Sequence, residues 1–326
     1  MSPTITEAKK ILVVTSPGLV PEWAEQMQSL RPDAEFVFSK DNIESVLEAA
    51  PGINAMVNCP RLLFTAEVLR QAGNSLEWIH LGGAGCEEYL IPELVNSEIT
   101  FTNGKIIQGP EVADHAMALY LCLARNLNLV MRGYAYNEMP RPIELRKKTA
   151  VIIGVGGIGM LIAERANAFG MTVIGIDQEF VPMTSTLDRL CPQEELLDVL
   201  PQADVVFMSA PRTDNTYQMM NNDSFSAMQP HAVYVSVSRG TTTDTDALTK
   251  ALKSKTIRAA GIDVSDPEPL AQDHPLRSMD NVVISPHIAG LSDFNRQRSF
   301  DLIKTNIGRY LDNKQLINTV DKARGY

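Results

Sequence analysis

Residues 151–177 read VIIGVGGIGMLIAERANAFGMTVIGID: an apolar run, a glycine-rich turn, a helical pattern, a second apolar run and a terminal acid. The β-branched residues Val151, Ile152 and Ile153 predict a strand that runs into Gly154. Gly154, Gly156 and Gly159 then follow the spacing G-x-G-x-x-G, and helical periodicity extends from Ile158 to Phe169. A second strand, Thr172–Ile176, ends at Asp177. A lone glycine triplet carries little information, but strand, turn, helix, strand and acid in this order form the fingerprint of a dinucleotide-binding βαβ unit. The first glycine permits the tight turn, the second lets the backbone approach a pyrophosphate, and the third lets the helix pack close to the strand. Phosphates would then meet the unpaired N–H groups at the positive end of the helix. Asp177 stands near the roughly 20-residue offset expected of the acid that binds the adenosine ribose. A carboxylate there repels a 2′-phosphate, so NAD(H) is expected over NADP(H). The alternative is a glycine-rich turn in an α/β protein without a nucleotide.

The unit begins in mid-chain. A chain of 326 residues is long enough for two domains. Before the glycine turn, apolar runs at Ile11–Val14, Phe36–Phe38, Ala55–Val57, Trp78–Leu81 and Ile99–Phe101 alternate with helical patterns such as Pro21–Leu30, Ile43–Ala49 and Thr65–Gln71. Such alternation predicts a parallel sheet in an α/β domain of its own. It lacks a nucleotide fingerprint, because its first strand leads into Thr15-Ser16-Pro17-Gly18, with one glycine. From Gly109 the pattern PEVADHAMALYLCLARNLNLVMR predicts one long helix, apolar nearly all round and therefore buried between domains or subunits. Further strands are expected at Val205–Met208, Ala232–Val237, Ile257–Ile262 and Val282–Ile284, with helices at Glu194–Leu200 and Thr245–Leu252 and a final one over about residues 293–311. The expected fold is α/β, with two doubly wound parallel-sheet domains. A Rossmann NAD-binding domain, 105–295, is inserted into a split flavodoxin-like substrate domain, 1–104 plus 296–326.

The bulk properties narrow the functional classes. Apolar content of 44% and charged content of 21% are those of a soluble globular chain. A net charge of −10 argues against nonspecific nucleic-acid binding and against docking on anionic lipid. The longest apolar stretch, Ala116–Ala124, is far short of a membrane span. The N-terminal sequence does not read as a signal peptide. The four cysteines, Cys59, Cys86, Cys122 and Cys191, have no metal-ligand spacing and read as idle thiols of a reducing cytoplasm, and no metal site is expected.

Three further motifs fall at predicted strand ends, where ligands of open α/β sheets gather. They are VYVSVSRG (233–240) followed by Asp244 and Ala247-Leu248, AGIDV (260–264) running on to Glu268-Pro269-Leu270, and NVVISPHIAG (281–290). With the glycine unit they resemble the D-isomer-specific 2-hydroxyacid dehydrogenase family over about residues 82–290. The resemblance implies an NAD-dependent enzyme that interconverts a small 2-keto acid and its D-2-hydroxy acid. Glyoxylate or hydroxypyruvate is the first expectation for the substrate, and a homodimer for the assembly.

Reduction of a 2-keto acid requires a hydride at C2, a proton on the carbonyl oxygen and a partner for the carboxylate. Arg239 offers a planar fork of donors for carboxylate and carbonyl. His287 is the natural proton donor, since imidazole titrates near neutrality. Glu268, hydrogen-bonded to it, would stabilise the imidazolium. Taken singly, these could be a surface ion-pair arginine, a loop acid and a satisfied buried histidine. Their joint occurrence in matching motifs favours the catalytic roles, which the family resemblance also assigns.

The same resemblance implies that Gly83, Ala84 and Gly85 present backbone N–H groups to the substrate carboxylate, and that Gly156, Gly157 and Ile158 lie against the pyrophosphate. It further places Pro211, Thr213 and Thr216 beside the adenosine, Ser238 on the nicotinamide side, and Asp263 near the nicotinamide carboxamide. His80 and His115 are read as structural or interfacial. Asp114, Ser265, Lys147 and Arg212 depart from the usual pattern, and Arg212 could offset the repulsion from Asp177. Two rival readings keep the scaffold: an NAD-sensing binding protein similar to transcriptional corepressors, and an enzyme that oxidises another small anion such as phosphite.

Overall fold

The computed structural model describes residues 8–15, 21–179 and 185–325, so the expected Ser16–Gly18 turn lies outside the described residues. The chain divides into two compact units, Met1–Ile107 with Ser292–Tyr326, and Gln108–Leu291. These junctions lie a few residues from those expected at 104/105 and 295/296.

The first unit starts with β1 (Lys10–Thr15), α1 (Pro21–Leu30), β2 (Glu35–Lys40), α2 (Ile43–Ala49), β3 (Ala55–Val57), α3 (Ala66–Ala72), β4 (Trp78–His80), α4 (Pro92–Val95) and β5 (Thr100–Thr102). Its strands form a parallel sheet in the order β2-β1-β3-β4-β5. This is the flavodoxin-like doubly wound order. Both faces are covered, as a parallel sheet requires. Leu12, Val14, Met56, Ile79 and Phe101 join one apolar cluster, and Ile11, Val13, Ala55, Val57 and Trp78 join the other.

The second unit contains α5 (Gly109–Ala124), α6 (Leu127–Met131), β6 (Thr149–Ile153), α7 (Gly157–Ala168), β7 (Thr172–Ile176), β8 (Arg189–Cys191), α8 (Leu196–Val199), β9 (Val205–Met208), α9 (Asn222–Ala227), β10 (Val233–Ser236), α10 (Thr245–Lys253), β11 (Ala259–Ile262) and β12 (Val282–Ile284). Its parallel sheet has the order β12-β11-β10-β9-β6-β7-β8. The order reverses between β6 and β9, which creates the switch point where a doubly wound sheet takes its ligand. The chain then returns to the first unit with α11 (Asn295–Leu311), whose Phe300, Ile303 and Ile307 pack in the cluster around Trp78. A bridge between Thr102 and Thr319 and a hydrogen bond from Val320 N to Phe101 O (2.8 Å) extend that sheet beyond β5.

The long helix expected from Gly109 is broken. It stops at Ala124, and Asn126 adopts a left-handed conformation, φ +57°. Asparagine tolerates that region better than most residues. Here its side chain is also buried: Nδ2 donates to Pro140 O at 2.6 Å, and Oδ1 accepts from Arg258 at 3.1 Å. The α5 segment itself is buried, with Ala113, Ala116, Tyr120 and Ala124 inaccessible. The helix expected over Glu194–Leu200 shortens to α8, and β8 and α9 are elements that the sequence pattern does not predict. No helix among the described residues is long and apolar enough to cross a membrane.

Candidate active site

The glycine turn follows β6 at the switch point. Gly154 has φ +85°, and a Cβ there would come within 2.4 Å of Ala210 Cα, just past β9. A Cβ on Gly159 would lie 2.0 Å from Gly154 O, so the helix packs on the turn at a distance only glycine permits. Gly156 differs, because a Cβ there would meet nothing within 4 Å. Its backbone borders open space. The helix α7 opens with no side-chain cap, and among the described residues the N–H groups of Gly156, Gly157 and Ile158 have no acceptor. Bare amides at a helix start, beside a glycine that leaves room, fit a dinucleotide pyrophosphate. Asp177, at the end of β7, accepts from Val155 N at 2.7 Å and from Glu179 N at 3.0 Å. Its carboxylate is therefore tied to the glycine turn. Beyond β9, Thr216 is buried, and its hydroxyl donates to Pro211 O at 2.7 Å and accepts from Thr213 N at 2.8 Å. Arg212 is exposed on that loop.

Further residues come from the ends of β10, β11 and β12. Ser238 is buried, with its hydroxyl donating to Ala210 O, and Arg239 Nη1 donates to Ser238 O at 2.9 Å. A Cβ on the following Gly240 would lie 1.9 Å from Ser265 O. The loop carrying Arg239 thus abuts the loop that leads to Glu268. Oε1 of Glu268 lies 2.6 Å from Nδ1 of His287. An ionised carboxylate only accepts, so Nδ1 carries the donated proton and Nε2 is the nitrogen left for a reactant. Both side chains are close to half exposed, 41% and 48%. The structure therefore brings Glu268 and His287 into contact and sets the Arg239 loop against theirs.

Asp263 occupies an unexpected place. Its side chain is only 1% exposed. Oδ1 accepts from Ser285 Oγ at 2.6 Å and from Ile288 N at 3.0 Å, while Oδ2 accepts from Ala289 N at 3.0 Å. Its main-chain oxygen accepts from His287 N at 2.9 Å. The residue expected beside the nicotinamide thus spends its acceptors on the histidine loop. His115 and Ser285, to which the sequence motifs assign no role in the site, adjoin it, with 2.7 Å between His115 Nε2 and Ser285 Oγ. The signal within reach was the i, i+2 spacing of Ser285 and His287.

In the first unit, the Gly82–Gly85 loop follows β4. A Cβ on Gly82 would lie 2.5 Å from Asn58 Oδ1, and Ser299 Oγ donates to Gly82 O at 3.1 Å. Gly104 N donates to Gly83 O at 2.7 Å, and Asn103 Nδ2 to Ala84 O at 2.7 Å. The carbonyls of Gly82, Gly83 and Ala84 are thereby occupied. Among the described residues, the N–H groups of Gly83, Ala84 and Gly85 have no acceptor, so they are available to an anion. His80, just before this loop, is buried, and burial pushes its pKa down to about 3. Its Nδ1 lies 2.7 Å from Thr102 Oγ1. The described residues contain no cluster of groups able to hold a metal ion.

Comparison with known proteins follows the same lines. Residues 117–289 match the model of the D-isomer specific 2-hydroxyacid dehydrogenase, NAD binding domain. A glyoxylate reductase of Thermofilum pendens is 31% identical over 253 residues, 74% of this chain and 74% of that protein. A hydroxypyruvate reductase of Thermotoga maritima is 28% identical, covering 86% and 93% of the two chains. Among solved structures, an NADPH-dependent glyoxylate/hydroxypyruvate reductase of Sinorhizobium meliloti, in complex with NADP and malonate, superposes with a TM-score of 0.75 at 26% identity. That match covers 97% of this chain and 98% of the other.

Proposed function

Because the chain belongs to the D-isomer-specific 2-hydroxyacid dehydrogenase family and interconverts a small 2-keto acid and its D-2-hydroxy acid with NAD(H), we propose that Arg239, His287 and Glu268 carry out that chemistry. The hydride at C2 would come from, or go to, bound NAD(H). His287 Nε2 delivers a proton to the carbonyl oxygen in reduction and takes it back in oxidation. Glu268 holds Nδ1 and balances the imidazolium as it forms or discharges. Arg239 takes the substrate carboxylate and carbonyl in its fork of donors, and in the first unit the amides of Gly83, Ala84 and Gly85 are suited to a carboxylate. The observation that carries this reading is the 2.6 Å contact of Glu268 Oε1 with His287 Nδ1. It leaves Nε2 available at a partly exposed surface.

For the cofactor, the bare amides of Gly156, Gly157 and Ile158 take the pyrophosphate and Asp177 the adenosine ribose, which favours NADH over NADPH. Pro211, Thr213 and Thr216 border the adenosine, Ser238 the nicotinamide. Asp263 acts behind the histidine. Glyoxylate and hydroxypyruvate are the substrates to try first, since both are acted on by similar reductases. The enzyme works as a homodimer, a reading supported by the exposed apolar residues Leu127, Val130, Met131 and Tyr136 on and beyond α6. A cytoplasmic location is supported by the free thiols of Cys59, Cys122 and Cys191.

The test is a steady-state assay of a panel of 2-keto acids with NADH and with NADPH. Turnover of glyoxylate or hydroxypyruvate, faster with NADH, is expected. Absence of turnover with every keto acid removes the catalytic reading, and a preference for NADPH removes the role of Asp177.

A further inference from the structure

His287 sits in a left-handed conformation, φ +54°, which a residue with a side chain adopts at a cost. Such a conformation persists only where its surroundings over-determine it. Here one residue does most of that. Asp263 accepts the N–H groups of His287, Ile288 and Ala289 in succession, the first on its main-chain oxygen and the next two on its carboxylate. The carboxylate is buried, so it holds the loop only if its own charge is matched.

The remaining contacts show how it is matched. Ser285 Oγ lies 2.6 Å from Asp263 Oδ1 and 2.7 Å from His115 Nε2. The serine has one hydroxyl proton. An ionised carboxylate offers none, so that proton goes to Asp263 and the serine oxygen must accept from His115. The order of donation is therefore His115 Nε2–H to Ser285 Oγ–H to Asp263 Oδ1. His115 Nε2 itself stands 3.5 Å from that same carboxylate oxygen. His115 lies on the buried helix α5, Ser285 follows β12 and Asp263 follows β11, and all three belong to one unit.

We propose that His115 is a positioning residue for His287, acting through Ser285 and Asp263. It touches neither substrate nor cofactor in this role. It orients the serine hydroxyl, which fixes the carboxylate that clamps the two amides immediately after the proton donor. Replacing the imidazole with an apolar group frees the serine hydroxyl to turn away from Asp263. The loop then loses its left-handed turn, and His287 Nε2 moves from its place.

The inference rests on the proposed role of His287, so one of its two tests needs no substrate. In His115→Leu, kcat for keto-acid reduction should fall by about tenfold to a hundredfold while NADH affinity is retained. Amide exchange of the 284–290 peptide, followed by mass spectrometry, should accelerate. His115→Gln, whose Nε2 can donate to Ser285 Oγ in place of the ring nitrogen, should restore both. Ser285→Ala, a smaller change should the leucine variant fail to fold, should act in the same direction as leucine. The proposal is overturned if the leucine and alanine variants exchange at the wild-type rate, or if they merely melt earlier with kcat unchanged. If the wild-type enzyme turns over no keto acid, the exchange measurement still decides it.

Discussion

Glu268 and His287 meet at 2.6 Å from two strand-end loops, nineteen residues apart in sequence. The contact engages Nδ1 and assigns any proton transfer to Nε2. Replacing His287 with alanine removes the proposed proton donor and leaves the glycine turn untouched. Turnover of the keto acid should fall by about a hundredfold or more, while fluorescence titration should give wild-type NADH affinity. Near-normal kcat would take His287 out of the reaction.

Glu268→Gln separates geometry from charge. The amide oxygen can still accept from Nδ1, but it no longer balances a protonated ring. Turnover of the keto acid should fall by about tenfold or more in the variant while NADH affinity is kept. A wild-type kcat would show that the charge of Glu268 does not assist His287.

The three glycines of the turn should respond differently to alanine. At Gly154 and Gly159 the added Cβ would meet backbone at 2.4 and 2.0 Å, so both variants should melt earlier, by about 1–3 kcal/mol of stability or more. At Gly156 the Cβ meets nothing, so Gly156→Ala should melt like the wild type and yet bind NADH more weakly. If Gly156→Ala binds normally, the pyrophosphate lies elsewhere.

His80 makes the first unit sensitive to acid. The unfolded chain takes up a proton near pH 6.5, whereas burial delays uptake in the folded unit to about pH 3. The unfolded state therefore binds more protons across this window. Stability should fall as pH drops through it, by about 1.4 kcal/mol per unit from this one group. Both tryptophans, Trp23 and Trp78, lie in the first unit, so their fluorescence reports its urea midpoint selectively. His80→Gln should flatten the slope between pH 6.5 and 5. Equal slopes in the two proteins would assign the sensitivity to other groups.

The parts of this molecule that could be read from the sequence are those in which a local rule has one solution. The strand into Gly154 and the acid after Ile176 are examples, because backbone conformation and spacing leave little choice. Asn126 is the opposite case. Its residues continue a helical pattern, but contacts with Pro140 and Arg258, remote in sequence, decide that the helix ends there. Asp263 could be singled out as a site residue but not given its place, since its burial depends on where β12 and α5 meet β11. The three-residue strand β8 is too short to carry a period of its own.

The return of the chain to its first unit has a consequence for synthesis. The second unit is one continuous stretch and can close its sheet as soon as Leu291 is made. One face of the first unit's sheet, covered in part by Met27, stays incomplete until α11 delivers Phe300, Ile303 and Ile307, and its β5 edge stays open until Thr319 and Val320 follow. The segment made first is thus the last to be completed on the ribosome. For most of translation it exposes an apolar strand face and a free edge of the kind that chaperones recognise and aggregates exploit.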